Sequence, residues 1–580
     1  MSASRFVADA NPPTFAPMLY ERWQRWVASP LFLPLMLGAW LLLNLWQAFS
    51  TELFHDEAYY WFYARRLEWA YAEHPPMIAL WIRLGTALLP GEAGVRLLPV
   101  LANTLALGLA QTLVPRAQRA LFWLLLPGIF LAHVGGFFAA PDAPLAFFVV
   151  VFLVLYQRYL VRDSLWLALG LGGVAAAVLY SKYHGLMLLG CLLLAHLRLL
   201  RRASFWLLAG VALLLLVPLL HTLWAQGFAT FTFHLSERIA RPNDGSFTLN
   251  YILNQFLILG PLLGWVLLPT ALLQRGPDPF ARSLKWGVAG ILGFLLLLSL
   301  RTWVEANWSA AAFIPILVLA TGYLHERPRW RRWAVGLALP GWIIGLAFRL
   351  YAGLDVPPSY VPIRNEVHGW PAWARQIEAV AGDRPAVFFN SYQHPAKYSF
   401  YTGKPAFAFN NFLYHRSQYD AWCIEDSLRG QEAVFFLTIP GLGTDTLITT
   451  IDTFFYAPIH SLQGYGRVRI EPLSLPELRA GQPVALTLRL VNDYDHPLRF
   501  DQNPDLGVWI TANYGQEGRW VHAQAFEPPL GGLVLADTAL VEVQLIPPTR
   551  AGRYKLTFAL RQGWIDGSIN GRWQEIEALP

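Results

Sequence analysis

Charge is scarce in this 580-residue chain: only 14% of its residues are Asp, Glu, Lys or Arg. Ordinary soluble proteins carry about 25%. Disordered, collagen-like and coiled-coil chains need a more polar or more repetitive composition, so each is excluded. Cysteine is scarcer still, with Cys191 in an apolar block and Cys423 in a polar region. Two such residues cannot form a disulfide framework. A Gly-rich phosphate loop, a Gly-x-Ser-x-Gly elbow and a His-Glu-x-x-His pair are all missing. No His, Cys, Asp and Glu set has metal-ligand spacing, since His55, Asp56 and Glu57 are consecutive. A divalent metal is compatible with these carboxylates but has no support from spacing, and no cofactor is assigned. There is no internal repeat and no low-complexity tract.

What is abundant is hydrophobic: 55% of residues, among them 25 Trp, 23 Tyr and 36 Phe. They fall in blocks such as Leu31–Trp46, Phe205–Leu220 and Gly290–Leu300, as in a polytopic α-helical membrane protein. The first block, near 30–50, lacks a following small-residue cleavage site and reads as an uncleaved span. Further spans are expected near 94–114, 120–139, 145–161, 165–180, 185–199, 205–224, 249–273, 285–300, 309–324 and 333–350. Alternate loops are short and basic: Arg116 and Arg119; Arg158 and Arg162; Arg198, Arg201 and Arg202; Arg275, Arg282 and Lys285; Arg327 through Arg332. The positive-inside rule places these in the cytoplasm with the N-terminus. About eleven transmembrane helices then put everything after residue 350 outside the membrane. The net charge of +6 is thus explained by membrane orientation, and nucleic acid is not an expected partner.

After Leu350 the composition turns to Pro, Gly, Asp and Asn, with no further block able to span. Short apolar runs at Ala386–Phe389 and Ala433–Leu437, with helix-like stretches around them, predict an extracytoplasmic α/β module over 354–465. Alternating runs at Pro483–Val491 and Leu540–Leu545, separated by turn signals, predict a β-sandwich over 466–580. Residues 1–353 form the membrane domain.

The first outward loop carries Phe54-His55-Asp56-Glu57-Ala58-Tyr59-Tyr60-Trp61 and then Glu73-His74-Pro75-Pro76. Adjacent carboxylates at a helix exit suit a general base and its support, and aromatic faces suit sugar rings. The bland alternative is a solvated loop in an aromatic belt. Against it, Asp142, Lys182, Tyr183, His184, Glu237, Arg238, Arg241, Arg301 and Glu305 all map to the same side. Each has its own ordinary reading. Asp142 can be a helix N-cap, Lys182 can snorkel from a helix end, and Arg301 and Glu305 can pair one turn apart. The functional readings are that Lys182 holds a lipid phosphate and that Arg238 and Arg241 lie on a long loop able to gate a substrate.

The first-loop run, with Gly94-Val95-Arg96-Leu97, Pro141-Asp142-Ala143-Pro144-Leu145, Ser181-Lys182-Tyr183 and Glu305-Ala306-Asn307-Trp308 in order, resembles a known family. These are the bacterial family-39-type and aminoarabinose-transferase-like glycosyltransferases, relatives of the protein O-mannosyltransferases with the GT-C membrane fold. The resemblance covers roughly residues 30–400. It implies an inner-membrane enzyme that uses a polyprenyl-monophosphate sugar, with undecaprenyl phosphate as the carrier, and a lipid, glycan or protein acceptor. It carries the base role to Asp56, with Glu57 beside it, and makes Lys182 and Arg301 the phosphate-binding candidates. Glu73 matches the acid of the family's Glu-Lys-Pro-Pro motif, but His74 stands where the Lys belongs, which puts aminoarabinose in doubt. The β-sandwich is no part of the common family core. Two rivals come from other classes. A transporter or lipid flippase with an exported sensor domain should place ionisable groups mid-membrane and show two related halves. An inactive scaffold with a glycan-binding sandwich needs only one altered side chain.

Overall fold

A computed structural model describes residues 15–228, 245–355, 362–503, 505–516 and 519–580. The chain divides into two compact units. One comprises Met1–Thr51, His74–Trp224 and Asn243–Val356; the other comprises Glu52–Glu73, Ala225–Pro242 and Pro357–Pro580.

The first unit is helical. Among the described residues, seven helices are long and apolar enough to cross a membrane: Phe32–Ser50, Gly91–Leu113, Asp142–Val161, Ala203–Ala225, Pro279–Ser299, Ala306–Glu326 and Pro328–Gly353. Four shorter apolar helices are Met77–Leu88, Leu165–Ser181, Gly185–Ala195 and Gly264–Leu273. Two expected spans are broken, each at a Gly-Pro or Pro-Gly pair. The stretch 120–139 becomes Arg119–Leu125, a 3₁₀ turn Leu126–Gly128, and Phe130–Val134. Pro127 lacks the N–H that would continue the ladder. Nearby, Trp342 donates its indole N–H to the Leu124 carbonyl at 2.8 Å. The stretch 249–273 becomes Ser246–Ile258 and Gly264–Leu273, broken at Gly260, which has φ +109° and precedes Pro261. A Cβ on Gly260 would lie 2.6 Å from the Gly128 carbonyl oxygen, so the two breaks pack backbone to backbone. Met77–Leu88 was not expected as a span, being short and carrying Arg83.

The second unit holds the sheets. Strands β1 (Ala386–Phe389), β2 (Ala406–Phe409), β3 (Ala433–Leu437), β4 (Asp445–Ile448) and β5 (Thr453–Ile459) form one sheet in the order β2-β1-β3-β5-β4. β1 pairs in parallel with both β2 and β3, whereas β5 runs antiparallel to β3 and β4. β1, β2 and β3 are buried along their whole length, as continuous apolar strands covered on both faces should be.

Ten further strands follow: β6 (Val468–Pro472), β7 (Leu478–Arg479), β8 (Val484–Asn492), β9 (Leu498–Arg499), β10 (Val508–Gln516), β11 (Arg519–Ala525), β12 (Val534–Leu535), β13 (Thr538–Leu545), β14 (Gly552–Gln562) and β15 (Gln574–Leu579). They make a five-stranded sheet, β11-β10-β14-β15-β7, a three-stranded sheet, β13-β8-β6, and a β12-β9 pair. Alternate residues of β8 (Leu486, Leu488, Leu490) share one core with Ile510, Tyr514, Leu556 and Phe558 of the five-stranded sheet. The period-two pattern read from the sequence is the cause: every second side chain faces that core. A buried joint ties these strands to the α/β part. Tyr494 donates its hydroxyl to Glu425 at 2.7 Å, the Gly466 N–H reaches the same carboxyl at 3.0 Å, and Arg467 pairs with Asp426 at 3.2 Å. Burial raises the Glu425 carboxyl to about 7.

Candidate active site

Asp56 occupies the first turn of the helix His55–Ala64, whose N-cap residue, Phe54, is extended. Glu57, fully buried, accepts the Phe54 N–H at 3.0 Å. This satisfies a backbone donor that the first helical turn leaves unpaired. Two acids in that turn also suit the positive end of the helix dipole. Tyr392 donates its hydroxyl to Asp56 at 3.5 Å.

Glu73 lies under two tyrosines of the same helix. Tyr59 donates to its carboxylate oxygens at 3.1 and 3.2 Å, and Tyr63 donates to it as well. Tyr59 in turn accepts the Gln418 N–H at 2.7 Å. Removal from water pushes the Glu73 carboxyl up to about 7; the tyrosine hydrogen bonds oppose this, and the charges of Asp420 and Asp56 add to it. Asp420 accepts from Ser417 N at 2.7 Å and Asn410 at 2.6 Å, and burial raises its pKa too. The second unit therefore gathers Asp56, Glu73 and Asp420 with Tyr59, Tyr63 and Tyr392 around them. Such a group can accept one proton at Asp56 while Glu73 holds another near neutral pH. On the opposite side of Asp56 in sequence, His55 sits 3.5 Å from Glu366 and against the edge of Trp370. Burial, with Lys397 and His394 nearby, drives His55 down to about 2, so it is a neutral packing residue.

In the first unit, Asp142 opens the helix Asp142–Val161 but caps nothing with its side chain. The N-cap expectation is thus corrected: its two oxygens take Lys182 Nζ at 2.8 and 2.9 Å, and Asn307 Nδ2 donates to one of them at 2.9 Å. Lys182 is 4% exposed, so it is an enclosed ion-pair partner and does not snorkel. It ends the helix Leu165–Ser181. Tyr183 follows, and His184 packs on Trp308 with ring centres 4.9 Å apart. Arg301 is exposed and makes no ion pair with the described residues. Glu305 precedes the 3₁₀ turn Ala306–Ala312, and 301–305 is not helical, so the two are not a helical pair one turn apart. His74, the residue after Glu73, is half-buried. Arg238 and Arg241 lie outside the described residues. Arg96, of the Gly-Val-Arg-Leu run, is fully buried and donates to the Ala48 and Thr51 carbonyls, closing the C-terminal end of Phe32–Ser50. Among the described residues no group of His, Cys, Asp and Glu is arranged to hold a metal ion.

No protein-family model matches the chain. The lipid A galacturonosyltransferase RgtD of Rhizobium johnstonii is 27% identical over 335 residues, which cover 54% of this chain and 69% of that protein. The crystal structure of ArnT from Cupriavidus metallidurans in the apo state superposes with a TM-score of 0.55 at 15% identity, over 74% of this chain and 97% of ArnT. The same protein bound to undecaprenyl phosphate gives 0.55 at 16% identity, over 74% and 98%. This chain has the GT-C glycosyltransferase fold. Sequence reasoning missed Tyr392, Asp420 and Gln418, which lie more than 300 residues from Asp56. It also passed over Asn307, although that residue stands in a quoted motif.

Proposed function

We propose that this protein is a membrane glycosyltransferase that moves a sugar from polyprenyl monophosphate, with undecaprenyl as the lipid, to an extracytoplasmic lipid, glycan or protein acceptor. The observation that carries the reading is the Asp56 carboxylate, held at a helix start beside Tyr392 and next to the proton-holding Glu73, on a fold shared with ArnT. Asp56 takes the proton of an acceptor hydroxyl as its oxygen bonds to the anomeric carbon. The bond from that carbon to the phosphate oxygen breaks, and polyprenyl phosphate leaves with the electron pair. Glu57 holds the turn that presents Asp56. Lys182 already has its charge offset by Asp142, so Arg301, exposed and without an ion pair among the described residues, is the proposed cation for the departing phosphate. Asp142, Lys182, Tyr183, Glu305, Glu73 and His74 are proposed as substrate-binding residues on the resemblance of the motifs they stand in.

On sugar identity, His74 in place of Lys speaks against aminoarabinose, and the 27% identity to a galacturonosyltransferase favours a uronic acid. The test is transfer by the purified full chain in proteoliposomes, with synthetic undecaprenyl-phosphate galacturonic acid and aminoarabinose compared by mass spectrometry of the acceptor lipids. Transfer of galacturonic acid, lost in Asp56→Asn by roughly 10²–10⁴-fold, is the expected result. Equal transfer by a well-folded Asp56→Asn protein refutes the base assignment; no transfer from any polyprenyl-phosphate sugar refutes the function.

A further inference from the structure

At the end of the bundle that carries the basic loops, an open cavity of about 530 Å³ lies where the helix Asp142–Val161 turns into Leu165–Ser181. Gln157, Arg158, Val161, Arg162, Ser164 and Leu167 line it. Two arginines at a helix C-terminus are ordinarily a dipole-favoured, solvated pair. Three observations argue for more. The lining holds no acid, and neither the Arg158 nor the Arg162 guanidinium forms an ion pair or hydrogen bond with the described residues. The one acid between Asp142 and Glu237 is Asp163, and its carboxylate accepts the Ser204 hydroxyl. The adjoining basic loop is docked on this same turn, because Arg202 donates to the Tyr159 carbonyl at 2.6 Å and to that of Leu160 at 3.3 Å. That brings the exposed Arg198 and Arg201 loop beside it. The rim is apolar and outward-facing: Val161 is 88% exposed and Trp166 82%. Water alone does not reward that combination, whereas the boundary of a bilayer does: an acyl surface beside a phosphate layer.

We propose that this cavity binds the head group of an anionic phospholipid, with Arg158 and Arg162 taking the phosphodiester, Gln157 and Ser164 the glycerol-side hydroxyls, and Val161, Leu167 and Trp166 the start of the acyl chains. It is separate from the carboxylate site and does not depend on the proposed transfer reaction.

The full chain, purified in detergent, is titrated with phosphatidylglycerol or phosphatidylcholine of matched acyl chains and read by native mass spectrometry. Wild type is expected to retain phosphatidylglycerol in preference. Arg158→Gln with Arg162→Gln should weaken that lipid by roughly 10- to 30-fold and leave phosphatidylcholine unchanged. Arg329→Gln with Arg332→Gln removes the same charge from another exposed basic loop and should change neither. Phosphatidylglycerol retained in the presence of tens of millimolar inorganic phosphate supports a lipid site. Its full displacement by phosphate overturns the lipid assignment. An unaffected first double variant, an equal loss in both, or no preference between the lipids also overturns it.

Discussion

At the level of single residues, two carboxylates of one short run stand in different surroundings. Asp56 is reachable at a helix start, while Glu73 is enclosed by two tyrosine hydroxyls and raised to about 7. The pH consequence has a definite sign. Below about 4.5 the Glu73 side chain is protonated whether the chain is folded or not. Between about 4.5 and 7 the folded form keeps a proton that the unfolded form has released, so stability falls as pH rises through this window. Glu73→Gln keeps the neutral shape and an acceptor oxygen for the tyrosines. Its melting temperature is therefore expected to change less between pH 5 and 8 than that of wild type; equal slopes would show that Glu73 ionises as an ordinary surface acid. Asp56 and Glu73 were legible in the sequence because they share one short run. Tyr392 and Asp420 were not, since only the folded chain brings a loop beyond residue 390 to a helix near 56. Nor could spacing reveal that Lys182 and Asp142, 40 residues apart, neutralise each other.

Among elements, close helix contact rests on glycine where a side chain would strike backbone. A Cβ on Gly85 would sit 2.2 Å from the Gly94 carbonyl oxygen, and one on Gly94 would sit 1.9 Å from that of Leu89. These residues seat Met77–Leu88 against Gly91–Ala110. Backbone cannot move aside as a flexible side chain can, so Gly85→Ala or Gly94→Ala should cost about 1–3 kcal/mol or more. Gly38, with nothing within 4 Å of its Cβ position, is the control. Gly38→Ala should be neutral or slightly stabilising, because alanine is favoured in helices by up to about 1 kcal/mol. Melting curves of the three variants in one detergent decide this; three equal curves would mean the hairpin relaxes freely. The long apolar blocks were readable as helices because composition alone sets them. Breaks were harder: Pro127-Gly128 and Gly260-Pro261 are visible signals, but their strength shows only when the two backbones meet at 2.6 Å from a would-be Cβ. The α/β and all-β segments were legible from periods of burial, whereas the joint at Glu425 was not, because it links residues 425, 466 and 494 through hydrogen bonds.

For the molecule as a whole, that joint bears on where the C-terminal part can be cut. A chain of residues 466–580 keeps most of its shared core but loses Tyr465 from it, the Glu425 carboxyl from Tyr494 and Gly466, and the Asp426 partner of Arg467. Buried donors left without acceptors cost about 1–3 kcal/mol each. The shorter chain should accordingly melt below a chain of residues 362–580 by differential scanning calorimetry, and equal melting points would make 466 a true domain boundary. Orientation is the remaining whole-chain property, and it rests on charge. The loops at Arg119, Arg202 and Arg331 are basic and short, whereas those at Asp56, Asp142 and Glu305 hold acids. Translocating each basic loop would oppose the positive-inside bias, and the biases add along the chain. Reporters fused after Arg119, Arg202 and Arg331 should therefore read cytoplasmic, and one fused after Gly353 extracytoplasmic. The helix count matters only through its parity, so an unexpected hairpin leaves the result unchanged, while a span added or lost after Arg331 inverts the C-terminal reporter alone. A cytoplasmic C-terminus with the three basic loops also cytoplasmic would point to such a miscount. A cytoplasmic C-terminus with the basic loops outside would put Asp56 on the wrong face for a lipid-linked sugar presented outside the membrane, and the transfer scheme would fail with it.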